Sequence, residues 1–83
     1  MLHVLSVEYR GGHRLRLTFS DGVEGEADLG RALDGPVFAP LRDPVAFAAV
    51  RLDPELRTVA WPNGADFAPE FLRELVMSGV AAA

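Results

Sequence analysis

Eighty-three residues, a formal charge of −4, an apolar fraction near one half and no cysteine set the bounds. A chain of this size builds one modest core, burying roughly 60–65 % of the surface it exposes when unfolded, with no large internal pocket. Disulfides, thiol catalysis and thiolate metal sites are excluded, and the excess of acids argues against direct binding of duplex nucleic acid, whose affinity comes from neutralised phosphates.

The apolar fraction is that of a folded domain. No apolar run approaches the ~20 residues of a membrane span. Residues 1–8 lack a basic segment followed by an apolar stretch, so no secretory leader is expected, and a cytoplasmic location is. Every basic residue is arginine, which GC-rich coding is sufficient to explain.

In chain order, Leu2 to Tyr9 reads as a first strand, with Leu5, Val7 and Tyr9 on its core face. Arg10-Gly11-Gly12 turns the chain. Either His13 or Leu15 then faces Tyr9, and Glu8 lies opposite Arg14 or Arg16. Leu15, Leu17 and Phe19 alternate with Arg16 and Thr18. After Ser20-Asp21-Gly22, Val23, Gly25 and Ala27 alternate with Glu24, Glu26 and Asp28. Such alternation marks strands with one buried and one wet face.

The register of this hairpin follows from face matching, because directly opposed residues share a face. A two-residue Asp21-Gly22 loop would set Phe19 against Glu24, core against solvent. A one-residue slip sets Phe19 against Val23 across a three-residue loop, with Gly22 in the left-handed position. The core pairs are then Leu17 with Gly25 and Leu15 with Ala27. The outer pairs are Thr18 with Glu24, Arg16 with Glu26 and Arg14 with Asp28.

Leu29 to Leu33 predicts one helical turn, broken at Asp34-Gly35-Pro36. Phe38 and Leu41 are expected to cap the core. Asp43-Pro44 opens a short helix to Ala49, Asp as N-cap and Pro at the first position, carrying Phe47 and Val50 inward. Val50–Asp53 and Thr58–Trp61 form a second hairpin around Pro54–Arg57, with Leu52 opposite Val59 and Val50 opposite Trp61. Pro62-Asn63-Gly64 ends it. The last helix runs from Pro69 to Met77, with Phe67, Phe71 and Leu75 sharing a face with Leu72 and Val76, and Gly79 is its expected stop. The fold class is therefore α+β: a small antiparallel sheet (three-stranded meander plus second hairpin), a short middle helix and a C-terminal helix. Residues 1–79 make a single domain and 80–83 a frayed tail.

Catalytic chemistry is sparse in this chain. His3 and His13 lie on the first two strands without metal-ligand spacing. Ser20 sits before Asp21 with no strand–turn–helix elbow. Glu24, Glu26 and Asp28 project from one strand face, but an exposed strand opposite arginines supplies neither the cleft nor the shifted pKa values of a paired-carboxylate site. No enzymatic activity, metal or cofactor is expected. Trp61-Pro62-Asn63-Gly64-Ala65-Asp66 holds a tryptophan before a rigid polar turn. Trp61 either completes the core opposite Val50 or anchors a partner.

Val7-Glu8-Tyr9, Leu15–Gly22, Phe38-Ala-Pro-Leu-Arg-Asp-Pro44, Phe47 and Trp61–Asp66, in this order and spacing, resemble the bacterial domain-of-unknown-function family 2442 from about Leu2 to Leu75. The resemblance implies a small α+β domain and no established activity, cofactor or catalytic residue. It implies membership either as a stand-alone protein or joined to a helix-turn-helix domain. Stand-alone members are often encoded beside a second small family, number 4160, as a suspected toxin–antitoxin-like pair. The expected function is therefore protein interaction, as the antitoxin-like member of a two-gene module. A ligand-sensing or DNA-linked accessory domain and a homodimer covering a sheet edge are the alternatives.

The expected partner is a small protein, such as that neighbouring product. The candidate contact residues are Arg42, Asp43, Trp61, Pro62, Asn63, Gly64 and Asp66, with Glu24, Glu26 and Asp28 as a second, acidic face. This chain departs from the family at Ala68, where Asp would cap the last helix. Asp66 is the nearest substitute.

Overall fold

A computed structural model describes residues 1–82, with side chains through Ser78. The architecture is α+β. Strands β1 (Val4–Tyr9), β2 (Arg14–Phe19) and β3 (Glu24–Asp28) form an antiparallel meander in that spatial order. Single turns follow at Gly30–Ala32, α1 (Gly35–Phe38), Ala39–Arg42 and α2 (Pro44–Phe47). Strands β4 (Arg51–Asp53) and β5 (Thr58–Ala60) make the second hairpin, and helix α3 (Pro69–Ala82) packs over β3.

The first hairpin has the register that face matching predicts. Leu17 opposes Gly25, Leu15 opposes Ala27, and Arg14, Arg16 and Thr18 oppose Asp28, Glu26 and Glu24. The Phe19 N–H donates to the Val23 carbonyl at 2.8 Å, and Gly22 adopts φ +89°. On the other side of β2, Tyr9 faces Leu15 and Glu8 faces Arg16.

The first strand departs from prediction at its start. A bulge between Val4 and Ser6 shifts the register. It buries Val4 to 2 % exposure and turns Leu5 outward at 56 %, because a bulge adds one residue to one strand and so reverses the facing sides.

The core is one cluster. Leu15, Leu17, Phe19 and Ala27 come from the meander, Leu29, Leu33, Leu41 and Phe47 from the connector, Val59 and Trp61 from the second hairpin, and Phe67, Leu72 and Val76 from the C-terminal segment. Helix α3 approaches β3 so closely that a Cβ at Gly25 would lie 2.7 Å from Val76 Cγ1.

Other boundaries differ in detail. Gly35 and Pro36 begin a helical turn instead of only breaking one, with Gly35 at φ +86°. Helix α2 ends at Phe47, short of Ala49. Leu52 opposes Val59 as predicted, and the ladder runs from Arg51–Ala60 to Asp53–Thr58. Helix α3 continues through Gly79 to Ala82, since alanines beyond the glycine sustain the helix. The helix therefore enters the predicted tail, of which Ala83 lies outside the described residues. Phe71 sits at the margin of the buried face, 38 % exposed, and stacks on Phe67 with ring centroids 5.4 Å apart.

Candidate functional site

The turn beginning at Trp61 is built from the core outward. Trp61 is 1 % exposed. Its Nε1 donates to the Phe47 carbonyl at 2.9 Å, and its ring meets Phe47 and Phe67 at 5.4 and 5.8 Å. Of the two roles open to it from the sequence, the structure gives it the core. Pro62, Asn63 and Gly64 are exposed. The turn closes by bonds between Trp61 N–H and Ala65 carbonyl (2.9 Å) and between Gly64 N–H and Trp61 carbonyl (3.0 Å), with Gly64 at φ +90°, a conformation glycine adopts without steric cost.

The polar residues of the motif are largely engaged within the fold. Asn63 Nδ2 donates to the Val37 carbonyl at 2.9 Å, and its Oδ1 accepts from Ala65 N–H at 3.1 Å. Arg42 donates from Nε to the Leu33 carbonyl (2.7 Å) and pairs with Asp34 (2.8 Å). Its own carbonyl lies 2.8 Å from His13 Nε2. Asp43 caps α2 through Val45 N–H at 3.0 Å. Thus Arg42 and Asn63 lash the irregular connector to itself and to the hairpin turn. Asp66 is exposed, its backbone bridges Ala60, and among the described residues its side chain makes no hydrogen bond. It does not replace the missing cap at Ala68.

The acidic strand stands on the outer face as predicted, and its ion pairs are diagonal. Arg16 meets Glu24 at 3.0 Å, and Arg14 meets Glu26 at 3.4 Å. Sheet twist brings long side chains one step along the neighbouring strand into reach. Arg10 lies 3.9 Å from Glu26 and 2.8 Å from Glu8. Asp28 instead accepts from Gly30 N–H at 2.9 Å. The face is a charge lattice that is mostly self-matched, and each exposed pair contributes about 0–1 kcal/mol.

Two turn carboxylates are held below their ordinary value of 3.8. Asp21 is lowered first by the Val23 N–H and then by Arg73, at 2.7 Å. Asp53 is lowered by the Leu56 and Glu55 N–H groups and by the nearby charge of Arg51.

Sequence reasoning missed a recess where the two sheets meet. It measures about 180 Å³ and is lined by His3, Val4, Leu5, Leu52, Asp53 and Arg57, among others. One backbone bond, Val4 N–H to Arg57 carbonyl at 3.0 Å, ties β1 to the second hairpin there, and Arg57 takes φ +54°. The only sequence signal was the pair of adjacent apolar residues Val4-Leu5, which cannot both face the core of a regular strand. A second recess of about 170 Å³ lies beside the Trp61 turn, lined by Pro40, Leu41, Ala46, Ala49 and Pro62 among others. Among the described residues no group of three or more His, Cys, Asp or Glu could hold a metal ion. None of their helices is long and apolar enough to cross a membrane.

Residues 4–78 match the family described as "Protein of unknown function (DUF2442)". Among solved structures, the chain is similar to the crystal structure of a Nitrosomonas europaea protein provisionally described as DNA-binding, with TM-score 0.83 and 29 % sequence identity. The match covers 98 % of this chain and 52 % of that one, so the chain spans about half that neighbour's length. No curated protein matches the chain. With nearly its whole length matched, the chain belongs to the DUF2442 family.

Proposed function

We propose that this protein is a non-enzymatic, cytoplasmic protein-interaction domain. The observation that carries this reading is the exposure of Leu5, Leu52 and Leu56, two of which line one recess. By contrast Leu15, Leu17, Leu29, Leu33 and Leu72 are fully buried, and Leu2 and Leu75 are partly buried against the core. Exposed aliphatic side chains gathered about a concavity are a common mark of a protein contact surface. In its finer form, resting on the family resemblance alone, the chain is the antitoxin-like partner of a small toxin encoded beside it.

The test is purification of the tagged full chain from its native host at native expression, read by mass spectrometry. A stoichiometric small partner is the expected result, and co-expression with that partner then reports whether growth inhibition is relieved. An empty purification under gentle lysis overturns the interaction reading.

A second reading follows from the Nitrosomonas europaea neighbour: an accessory domain tied to DNA binding. On this chain Arg10, Arg14, Arg16, Arg42 and Arg73 already pair with carboxylates, which leaves few cations for phosphates. In that reading the domain supplies regulation, and DNA contact comes from elsewhere. Salt-sensitive binding of duplex DNA by this chain, measured by fluorescence anisotropy, would favour direct DNA contact over both readings.

A further inference from the structure

The recess between β1 and β4 is bordered by open backbone. In an antiparallel ladder, successive residues of a strand turn their N–H and C=O groups to opposite sides. Trp61 N–H reaches the Ala65 carbonyl, and Ala60 bridges Asp66, so Ala60 and Thr58 direct their groups toward β4. Their partners there are Arg51 and Asp53. Leu52, between them, therefore directs its N–H and C=O away from β5. It has no backbone partner on that side among the described residues. On the opposite wall, Val4 N–H already points outward, to the Arg57 carbonyl. The meander and the second hairpin thus meet without a continuous ladder, and Leu52 is an unpaired edge residue.

The side chains around this edge form one chemical pattern. Leu5 and Leu52, 56 % and 37 % exposed, supply the apolar walls. Asp53 is satisfied internally, accepting from Glu55 and Leu56 N–H at 2.8 and 3.0 Å. Arg57 lines the recess and among the described residues has no carboxylate at ion-pair distance. The uncommitted charge is positive. A volume of about 180 Å³ lies below the roughly 300 Å³ at which small-molecule pockets begin. It suits an aliphatic side chain delivered by a peptide. An exposed strand edge beside a side-chain recess is the arrangement by which extended peptides add to sheets, main chain giving affinity and the recess giving specificity.

We propose that this recess receives an extended segment of a partner protein. Its backbone pairs with Leu52, an aliphatic side chain fills the space between Leu5 and Leu52, and an adjacent carboxylate meets Arg57. This rests on the protein-interaction reading and names the chemistry of the partner.

The test is panning of the immobilised full chain with a phage-displayed library of random eight-residue linear peptides. Recovered peptides are then titrated into the ¹⁵N-labelled protein. The expected result is enrichment of an aliphatic residue beside Asp or Glu, with chemical-shift changes centred on Leu5, Leu52 and Arg57 and slowed exchange of the Leu52 amide. Leu52→Asp and Arg57→Glu each weaken binding at least tenfold. Leu5→Asp, at a residue already facing solvent, does the same without depending on the hairpin.

Absence of enrichment, enrichment of basic or aromatic sequences, or shifts at the Trp61 turn or on β3 overturn the proposal. So does self-association in sedimentation that Leu52→Asp abolishes, which assigns the recess to a second copy of the chain. If a native partner is captured equally well by wild type and the three variants, the docking place is refuted while the interaction reading stands. An empty native purification removes that reading itself.

Discussion

Trp61 Nε1 donates to the Phe47 carbonyl at 2.9 Å, joining the end of the second hairpin to the last residue of α2 inside the core. Both residues are essentially inaccessible, so this bond and the one from Val50 N–H at 3.2 Å take the place of water at a helix-terminal carbonyl. Trp61→Phe removes the donor and part of the ring. The expected loss is about 2–4 kcal/mol, from an incompletely filled core and a lost buried hydrogen bond, the Phe47 carbonyl keeping only the longer bond from Val50 N–H. Urea unfolding followed by circular dichroism measures it, and an unchanged midpoint would show that the bond and the packing are dispensable.

Gly25 is required by packing, since a Cβ there would meet Val76 at 2.7 Å. Gly25→Val, which improves strand propensity in an open position, here forces α3 off β3. Destabilisation of about 1–3 kcal/mol is expected from overpacking. The double variant Gly25→Val, Val76→Ala should recover part of it, and thermal unfolding of the three proteins decides the matter. No recovery would place the strain in the backbone instead of the Val76 side chain.

Asn63 holds the connector against the turn through the Val37 carbonyl and Ala65 N–H. Asn63→Ala should cost about 1–3 kcal/mol, two hydrogen bonds at ordinary net value. If that variant keeps wild-type stability yet loses a partner, Asn63 is a contact residue and not a structural tie.

Much of the fold was legible, for reasons particular residues show. Phe19 cannot oppose Glu24 without burying a carboxylate, so face matching set the β2–β3 register to the residue. Asp43 before Pro44 announces a cap. What escaped depends on contacts between distant segments or on competing local signals. Val4 and Leu5 are both apolar, and only the packing of the second hairpin decides which one turns inward. Arg42 reads as a contact residue, because nothing in its neighbourhood foretells that the Leu33 carbonyl and Asp34 fold back to receive it. The family motif residues Arg42, Asp43, Trp61 and Asn63, read from the sequence as contact residues, also make bonds that tie the fold together. The recess at Leu52 was invisible, since it lies between two sheets whose relative placement no hairpin pattern encodes.

Acid sensitivity should follow Asp21 and Asp53. Each is held below 3.8 by backbone N–H donors. A carboxylate whose folded pKa is depressed stabilises the fold above its unfolded pKa, and that contribution disappears as pH falls through the folded value. The expected signature is a melting temperature independent of these groups near neutrality and declining below pH 3.8. In Asp53→Asn the contribution of that carboxylate is already absent, so the decline becomes shallower. Equal slopes for wild type and Asp53→Asn would assign the acid transition to other carboxylates.

Ala68 offers a gain instead of a loss. Leu72 N–H donates to the Ala68 carbonyl at 3.2 Å, which places Ala68 at the N-cap of α3, immediately before Pro69. Its side chain is exposed and cannot accept from the unpaired N–H groups of the first turn. Asp66, two residues earlier, does not do so in its place. Ala68→Asp supplies the acceptor and a negative charge at the positive end of the helix dipole. A stabilisation of about 0.5–2 kcal/mol is expected, largest at neutral pH and reduced once the new carboxylate is protonated. Denaturant unfolding at pH 7 and pH 3 separates the contributions. A gain that persists undiminished at pH 3 would point to hydrogen bonding by the neutral group, and no gain at either pH would mean that the first turn of α3 is already satisfied by solvent.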